Sequence, residues 1–241
     1  MAPDSSPAYL KESINKALET MGPRGKIDMF ECAQRDPKTL LNEILIALAE
    51  MVDEGKIGGV ALCQVDADTI REAANITKIV AVEMELYLWS TDPLTDGVAD
   101  TCAELNIPII AYSLIGRGML TGQIKSFDDI PDKDIRKQLP RFQSANFATN
   151  LKLVNELEKI ARKKKCTSAQ LALGWLLTLQ SRPGMPKIIP PPGATTAEHV
   201  QENSKAVLLS DEEMGEVDGI LASFPVAGDR YHQQGQKLVD D

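Results

Sequence analysis

The stretch IPIIAYSLIGRGMLTG, residues 107–122, joins an apolar run to a loop with three glycines in seven positions. Four consecutive apolar residues followed by Ala111 and Tyr112 read as a strand buried on both faces. The chain then leaves through Ser113 and places Gly116, Arg117, Gly118 and Gly122 close together. A plain turn needs one or two glycines, so the surplus predicts a backbone that approaches something closely. On its own the stretch fits either a ligand loop or a Gly-rich turn ending a strand.

Outward from this stretch, helical and strand-like segments alternate. SPAYLKESINKALETM puts Leu10, Ile14, Ala17 and Leu18 on one face, with Ser5 or Ser6 near its start. KIDMFECA reads as a short strand, and DPKTLLNEILIALAEMVDEGK as a long helix opened by Asp36 and Pro37 and closed at Gly55. IGGVALC, KIVAVEMEL and IPIIAYSL read as strands, separated by helices at DADTIREAAN, capped by Asp66, and DGVADTCAELN. A polar segment follows over 123–148. The helices NLKLVNELEKIARKK and TSAQLALGWLLTLQ come next, the second capped by Thr167 or Ser168. KIIPPPG is the last strand, TTAEHVQEN starts a helix, and Ser210 with Glu213 predicts a capping box on the final helix.

Near-continuous apolar strands between helices predict a parallel sheet covered on both faces. Five strands are countable, centred near residues 29, 60, 81, 110 and 189. An open doubly wound sheet and a (β/α) barrel both fit this order. No GxGxxG follows the first strand, which weighs against the dinucleotide form of the open sheet. Polar residues gather at the strand ends (Glu31, Cys63, Gln64, Glu83, Glu85, Tyr112 and Ser113), as they do at the rim of barrel enzymes.

The chain has 241 residues, 43% hydrophobic and 25% charged, with a net charge of −9. That length predicts one domain over 1–241, and the acidic balance weighs against a nucleic-acid partner. The one basic cluster, ARKKKC at 161–166, ends a helical stretch and reads as a solvated helix end. No apolar run is long enough for a membrane span, and no secretory leader is visible. Cys32, Cys63, Cys102 and Cys166 lie far apart without a CxxC or a neighbouring His, which predicts reduced thiols in a cytoplasmic protein and no metal site. Nothing in the sequence fixes an oligomeric state.

In order along the chain, KIDMFECAQRDP, LAEMVDEGKIGGVAL, AVEMEL, CAELNIPIIAYSLIGRGMLTGQI, PRFQSANF, CTSAQLALGW, IIPPPGATTAEHVQEN and FPVAGDRY resemble the aldo-keto reductase superfamily, in its fungal pyridoxal reductase-like branch. The resemblance implies an α/β fold, a (β/α)8 barrel of the triosephosphate-isomerase type. Here the barrel is incomplete, comprising about the C-terminal five βα units. It also implies NADPH as cofactor and a small-molecule carbonyl substrate such as pyridoxal. The family's proton-donating Tyr, with its Lys and Asp, falls in the part that precedes the matched segments, so no catalytic residue is carried over. An inactive paralogue that binds nucleotide or a protein partner is the alternative.

For cofactor binding the resemblance implies Tyr112 stacked on the nicotinamide. Ser113 and the backbone of Ile115, Gly116, Arg117 and Gly118 would lie near the pyrophosphate. Gly193, Ala194 and Thr195 would precede a helix whose free N–H groups suit the 2′-phosphate. His199 stands where the family usually has an Arg, which implies weakened preference for NADPH over NADH. Glu202 and Asn203 match adenine contacts. Glu83 and Gln64 match contacts to the nicotinamide carboxamide, although a Glu at a strand end equally suits a loop cap. Several positions depart from the branch. Ala33 replaces a frequent His, Cys63 replaces a Ser, and AQRDP, SLIGRG and IPPPG each differ from the usual motif.

Overall fold

The structure, a computed structural model, describes residues 4–33, 36, 38–205 and 207–232. Its elements run α1 (Pro7–Met21), β1 (Phe30–Glu31), α2 (Leu41–Asp53), β2 (Val60–Cys63), α3 (Ala67–Ile76), β3 (Ile79–Glu85), α4 (Val98–Glu104), β4 (Ile109–Tyr112), α5 (Ser144–Lys164), α6 (Ser168–Leu179), β5 (Ile188–Ile189), α7 (Ala197–Asn203) and α8 (Asp211–Ser223). The five strands form one sheet in sequence order, β1-β2-β3-β4-β5. The β1–β2 and β2–β3 pairs are parallel, with Glu31 opposite Ala61 and Cys63 opposite Glu83. The fold is therefore α/β, with the alternation of the incomplete barrel.

The chain divides into two compact units, residues 4–84 with 93–110 and residues 85–92 with 111–232. In the first, α1 packs on α2, α2 on α3 and α3 on α4. Ile44, Leu45, Ala47, Leu48 and Met51 form the buried stripe of α2, spaced as a helix facing a core requires. Val60, Ala61 and Leu62 of β2 are buried in succession, as a parallel strand covered on both faces should be. Asp66 caps α3 by accepting the Thr69 N–H at 2.7 Å, and Ser6 caps α1, as their residue types predict.

Helix α2 begins later than the sequence suggests. Asp36 uses its side chain to accept the Lys38 N–H at 3.0 Å, and its carbonyl accepts the Thr39 N–H. That local turn competes with helix formation, and Leu40 then provides an extended entry without a side-chain cap. The expected Pro37, with Gln34 and Arg35, lies outside the described residues. The first strand also shortens, to two residues plus a bridge between Ile27 and Ile57.

In the second unit, α5 packs against α6 and α8, and α6 against α7 and β5. Trp175, Leu176 and Leu171 of α6 are at most 1% exposed. Thr167 and Gln170 form the α6 capping box, and Ser210 and Glu213 that of α8. The basic end of α5 is salt-bridged to carboxylates: Arg162 to Glu158, Lys163 to Glu216 and Lys164 to Glu213. Lys163 and Lys164 staple α5 to α8, Arg162 pairs within α5, and all three meet the helix dipole. The polar segment before α5 is built from short 3₁₀ turns at Phe127–Asp129, Ile135–Gln138 and Pro140–Phe142. Helix α5 starts at Ser144, earlier than its apolar pattern predicts. No helix among the described residues is long and apolar enough to cross a membrane.

Candidate functional site

The Gly-rich loop after β4 holds five left-handed residues in ten. Ser113 (φ 60°), Gly116 (58°), Arg117 (53°), Gly118 (93°) and Gly122 (71°) all have positive φ. Glycine takes these angles at little cost, whereas Ser113 and Arg117 are held there against their preference. Neighbours within this unit supply the constraint. Arg136 donates from Nη1 to the Arg117 carbonyl at 2.8 Å, and a Cβ on Gly118 would stand 3.1 Å from that same nitrogen. The close approach that the glycines predict is thus partly to Arg136. Gly116 and Gly118 donate their N–H groups to Ser113 and Ile115 inside the loop, so these two amides are already engaged.

Beside this loop lies a cavity of about 190 Å³. Five of the sequence-predicted residues line it: Ile115, Gly193, His199, Glu202 and Asn203, drawn from two stretches far apart in the chain. Thr121, Gln123, Thr167 and Ala169 complete the wall. Sequence reading missed these four. Thr121 and Gln123 fall in the tail of the Gly-rich segment, and Thr167 is legible only as a helix cap.

Local bonds fix the wall. Asn203 donates to the Gly193 carbonyl at 3.3 Å, and Gln170 to the Glu202 carbonyl at 3.3 Å. Helix α7 starts at Ala197 with Thr196 as its cap, and the Thr196 hydroxyl accepts the His199 N–H at 3.2 Å. One of the helix-end donors expected to meet a phosphate is therefore already satisfied. Ala194 and Thr195 are exposed and do not line the cavity.

Tyr112, Ser113, Gly116, Arg117 and Gly118 also stand outside the cavity wall. Tyr112 instead meets Tyr231, hydroxyl to hydroxyl at 3.0 Å, and Tyr231 donates to Glu85 Oε2 at 3.0 Å. Glu85 is 2% exposed, with Arg230 3.9 Å away. The Arg117 guanidinium lies 5.7 Å from the Tyr231 ring centroid, within cation–π range. Burial, and then the charge of Glu85, hold the Tyr231 hydroxyl above its ordinary range.

Gln64 and Glu83 belong to the first unit. Gln64 follows β2 with φ 51° and donates its backbone N–H to the Glu83 carbonyl at 2.9 Å. Glu31, Cys63 and Glu83 bring three groups able to ligate a metal within 4.8 Å of one another. Cysteine spacing gives no sign of this cluster, because its members sit one per strand. Glu31 Oε2 is buried without a donor. Burial, then hydrogen bonding and repulsion from Glu83, push the Glu31 carboxyl up to about 8, so near neutral pH it holds a proton that Glu83 can accept. Burial pushes the Cys63 thiol to about 12 and Cys32 to about 11. All four cysteines are free.

The cavity wall carries hydroxyls at Thr121 and Thr167, amides at Gln123 and Asn203, and one imidazole, with the Thr121 proton already given to the Gly118 carbonyl at 2.6 Å. Among the described residues no Lys or Arg lines it. A model of the Aldo/keto reductase family matches residues 1–222. The chain is 39% identical over 248 residues to a Saccharomyces cerevisiae protein named as a pyridoxal reductase, covering 96% of this chain and 71% of that one. It is 35% identical over 243 residues to a Schizosaccharomyces pombe aldo-keto reductase whose name specifies NADP(+), covering 99% and 70%. Among solved structures it is similar to the glycerol dehydrogenase of Gluconobacter oxydans, with TM-score 0.81 and 25% identity, over 92% of this chain and 66% of that one. The chain thus spans about two thirds of the length of its solved relative.

Proposed function

The chain belongs to the aldo/keto reductase family, and on that premise we propose that it binds NADPH and serves the reduction of a small cytoplasmic aldehyde, pyridoxal or a near relative, to its alcohol. The observation that carries the reading is the cavity that collects Ile115, Gly193, His199, Glu202 and Asn203. Glu202 and Asn203 bind the adenine edge, and the Gln123 amide and Thr167 hydroxyl offer donors to ribose and phosphate oxygens. The 2′-phosphate meets His199 alone among ionisable cations of the wall, so preference over NADH is slight. Tyr112, in the same unit as the cavity, presents its ring to the nicotinamide. When bound, the cofactor supplies a hydride to the carbonyl carbon, and a proton must reach the oxygen.

A second reading, nucleotide binding without turnover, has one specific observation in its favour. The Tyr87 hydroxyl accepts from Arg141 at 3.2 Å, while Tyr112 and Tyr231 bond each other and Glu85. The Tyr231 proton is thus committed to Glu85, and the Tyr112 hydroxyl to Tyr231. Calorimetric titration with NADPH, followed by an assay of pyridoxal-dependent NADPH oxidation, separates the two. Binding with turnover supports the first reading, and binding alone the second. Absence of binding removes both.

A further inference from the structure

Tyr231 stands at the crossing of three parts of the second unit. Its hydroxyl has one proton, which goes to the acceptor-only carboxylate of Glu85 at 3.0 Å. The contact with Tyr112 at 3.0 Å must then run the other way, with Tyr112 donating to the Tyr231 oxygen. The result is a directed chain from Tyr112 through Tyr231 to Glu85, anchored on a carboxylate that is 2% exposed. On its face Tyr231 carries the Arg117 guanidinium of the Gly-rich loop. A tyrosine ring held only by packing can swing about χ1, whereas one bonded at its hydroxyl is held at both ends.

We propose that Tyr231 is a positioning residue that fixes the Tyr112 ring for the nicotinamide end of the cofactor. This rests on the cofactor reading given above, and it assigns to the segment around Arg230 and Tyr231 a role that its distance along the sequence from β4 conceals.

The test compares two ligands that differ by the nicotinamide, NADPH and 2′-phospho-ADP-ribose, on the full chain and on Tyr231→Phe, Tyr112→Phe and the double variant. Tyr231→Phe removes the bond to Glu85 and the bond from Tyr112; loss of the latter should weaken NADPH binding about tenfold and leave 2′-phospho-ADP-ribose within about twofold of the parent. Tyr112→Phe keeps the ring and loses the same bond, so it should show the same selective loss. The double variant should be no weaker than either single one. Unchanged NADPH binding in Tyr231→Phe, equal weakening of both ligands, or additive losses in the double variant would each overturn the positioning role while leaving the cofactor reading intact. If the parent chain binds neither ligand, the cofactor reading falls and takes this role with it. Should Tyr231→Phe fail to fold, Tyr112→Phe decides alone: a selective NADPH loss supports the role, and no loss or a loss shared by both ligands refutes it.

Discussion

Asn150 and Ala227 are bonded as residues on paired strands are. The Ala227 N–H donates to Asn150 Oδ1 at 2.7 Å, and Asn150 Nδ2 donates to the Ala227 carbonyl at 2.9 Å. The same Nδ2 also reaches the Arg141 carbonyl at 2.9 Å, and the side chain is 1% exposed. One helix side chain therefore holds down the irregular segment that carries Arg230 and Tyr231. Asn150→Ala removes three bonds in a site closed to water, and should cost about 2–4 kcal/mol. Urea unfolding measures this, and a change under about 1 kcal/mol would show that the segment is held by other means.

Glu31 and Glu83 set a pH dependence in the first unit. In the unfolded chain a Glu titrates near about 4, whereas burial and then Glu83 raise folded Glu31 to about 8. The folded state therefore holds the extra proton over that window. The stabilisation it gives is complete below the unfolded value and is lost as pH rises through the folded one. Discounted for the partial exposure of Glu31, the effect is about 1–2 kcal/mol. Glu31→Gln should match the parent at pH 4 and exceed it in melting temperature at pH 8. Parallel pH profiles for the two proteins would refute the shared proton.

Gly174 lies in the middle of α6, where glycine disfavours the helix by about 1 kcal/mol relative to alanine. On propensity alone Gly174→Ala should stabilise. The structure reverses the sign, because a Cβ there would stand 1.9 Å from the Val207 carbonyl oxygen and 2.9 Å from Leu209 Cδ1. Relieving that overlap means moving a helix away from backbone, at a cost of about 2–4 kcal/mol. A melting temperature at or above that of the parent would contradict this packing.

Most elements were legible because their signals are local. Asp66, Thr167 and Ser210 each mark a helix start through a hydrogen bond to a residue three positions on. The buried strands announced themselves by unbroken apolar runs. Asp36 misled because its side chain serves a turn as readily as a helix, and only Leu40's backbone angles show which won. Within the candidate site, Gly193, His199, Glu202 and Asn203 entered through motif resemblance, and the cavity brings them together. Tyr231 and Thr121 escaped notice, because each depends on contacts between segments far apart in sequence and no spacing rule encodes them; Glu31, Cys63 and Glu83 were legible as polar strand ends but not as one cluster.

His199 faces the cavity from α7, with Glu202 one turn further on. An imidazole offers a phosphate one contact, whereas a guanidinium offers a charged bidentate fork. The Glu202 carboxylate further disfavours an anion in the same wall. His199→Arg should therefore tighten NADPH binding about tenfold and leave NADH within about twofold, a gain in line with one added charge-assisted bond. The position is exposed, so the change should leave stability within about 0.5 kcal/mol. Paired calorimetric titrations with the two nucleotides give the comparison. An equal gain for both would mean that the new charge acts on the pyrophosphate they share, and the assignment of Glu202 and Asn203 to the adenosine end would have to be abandoned.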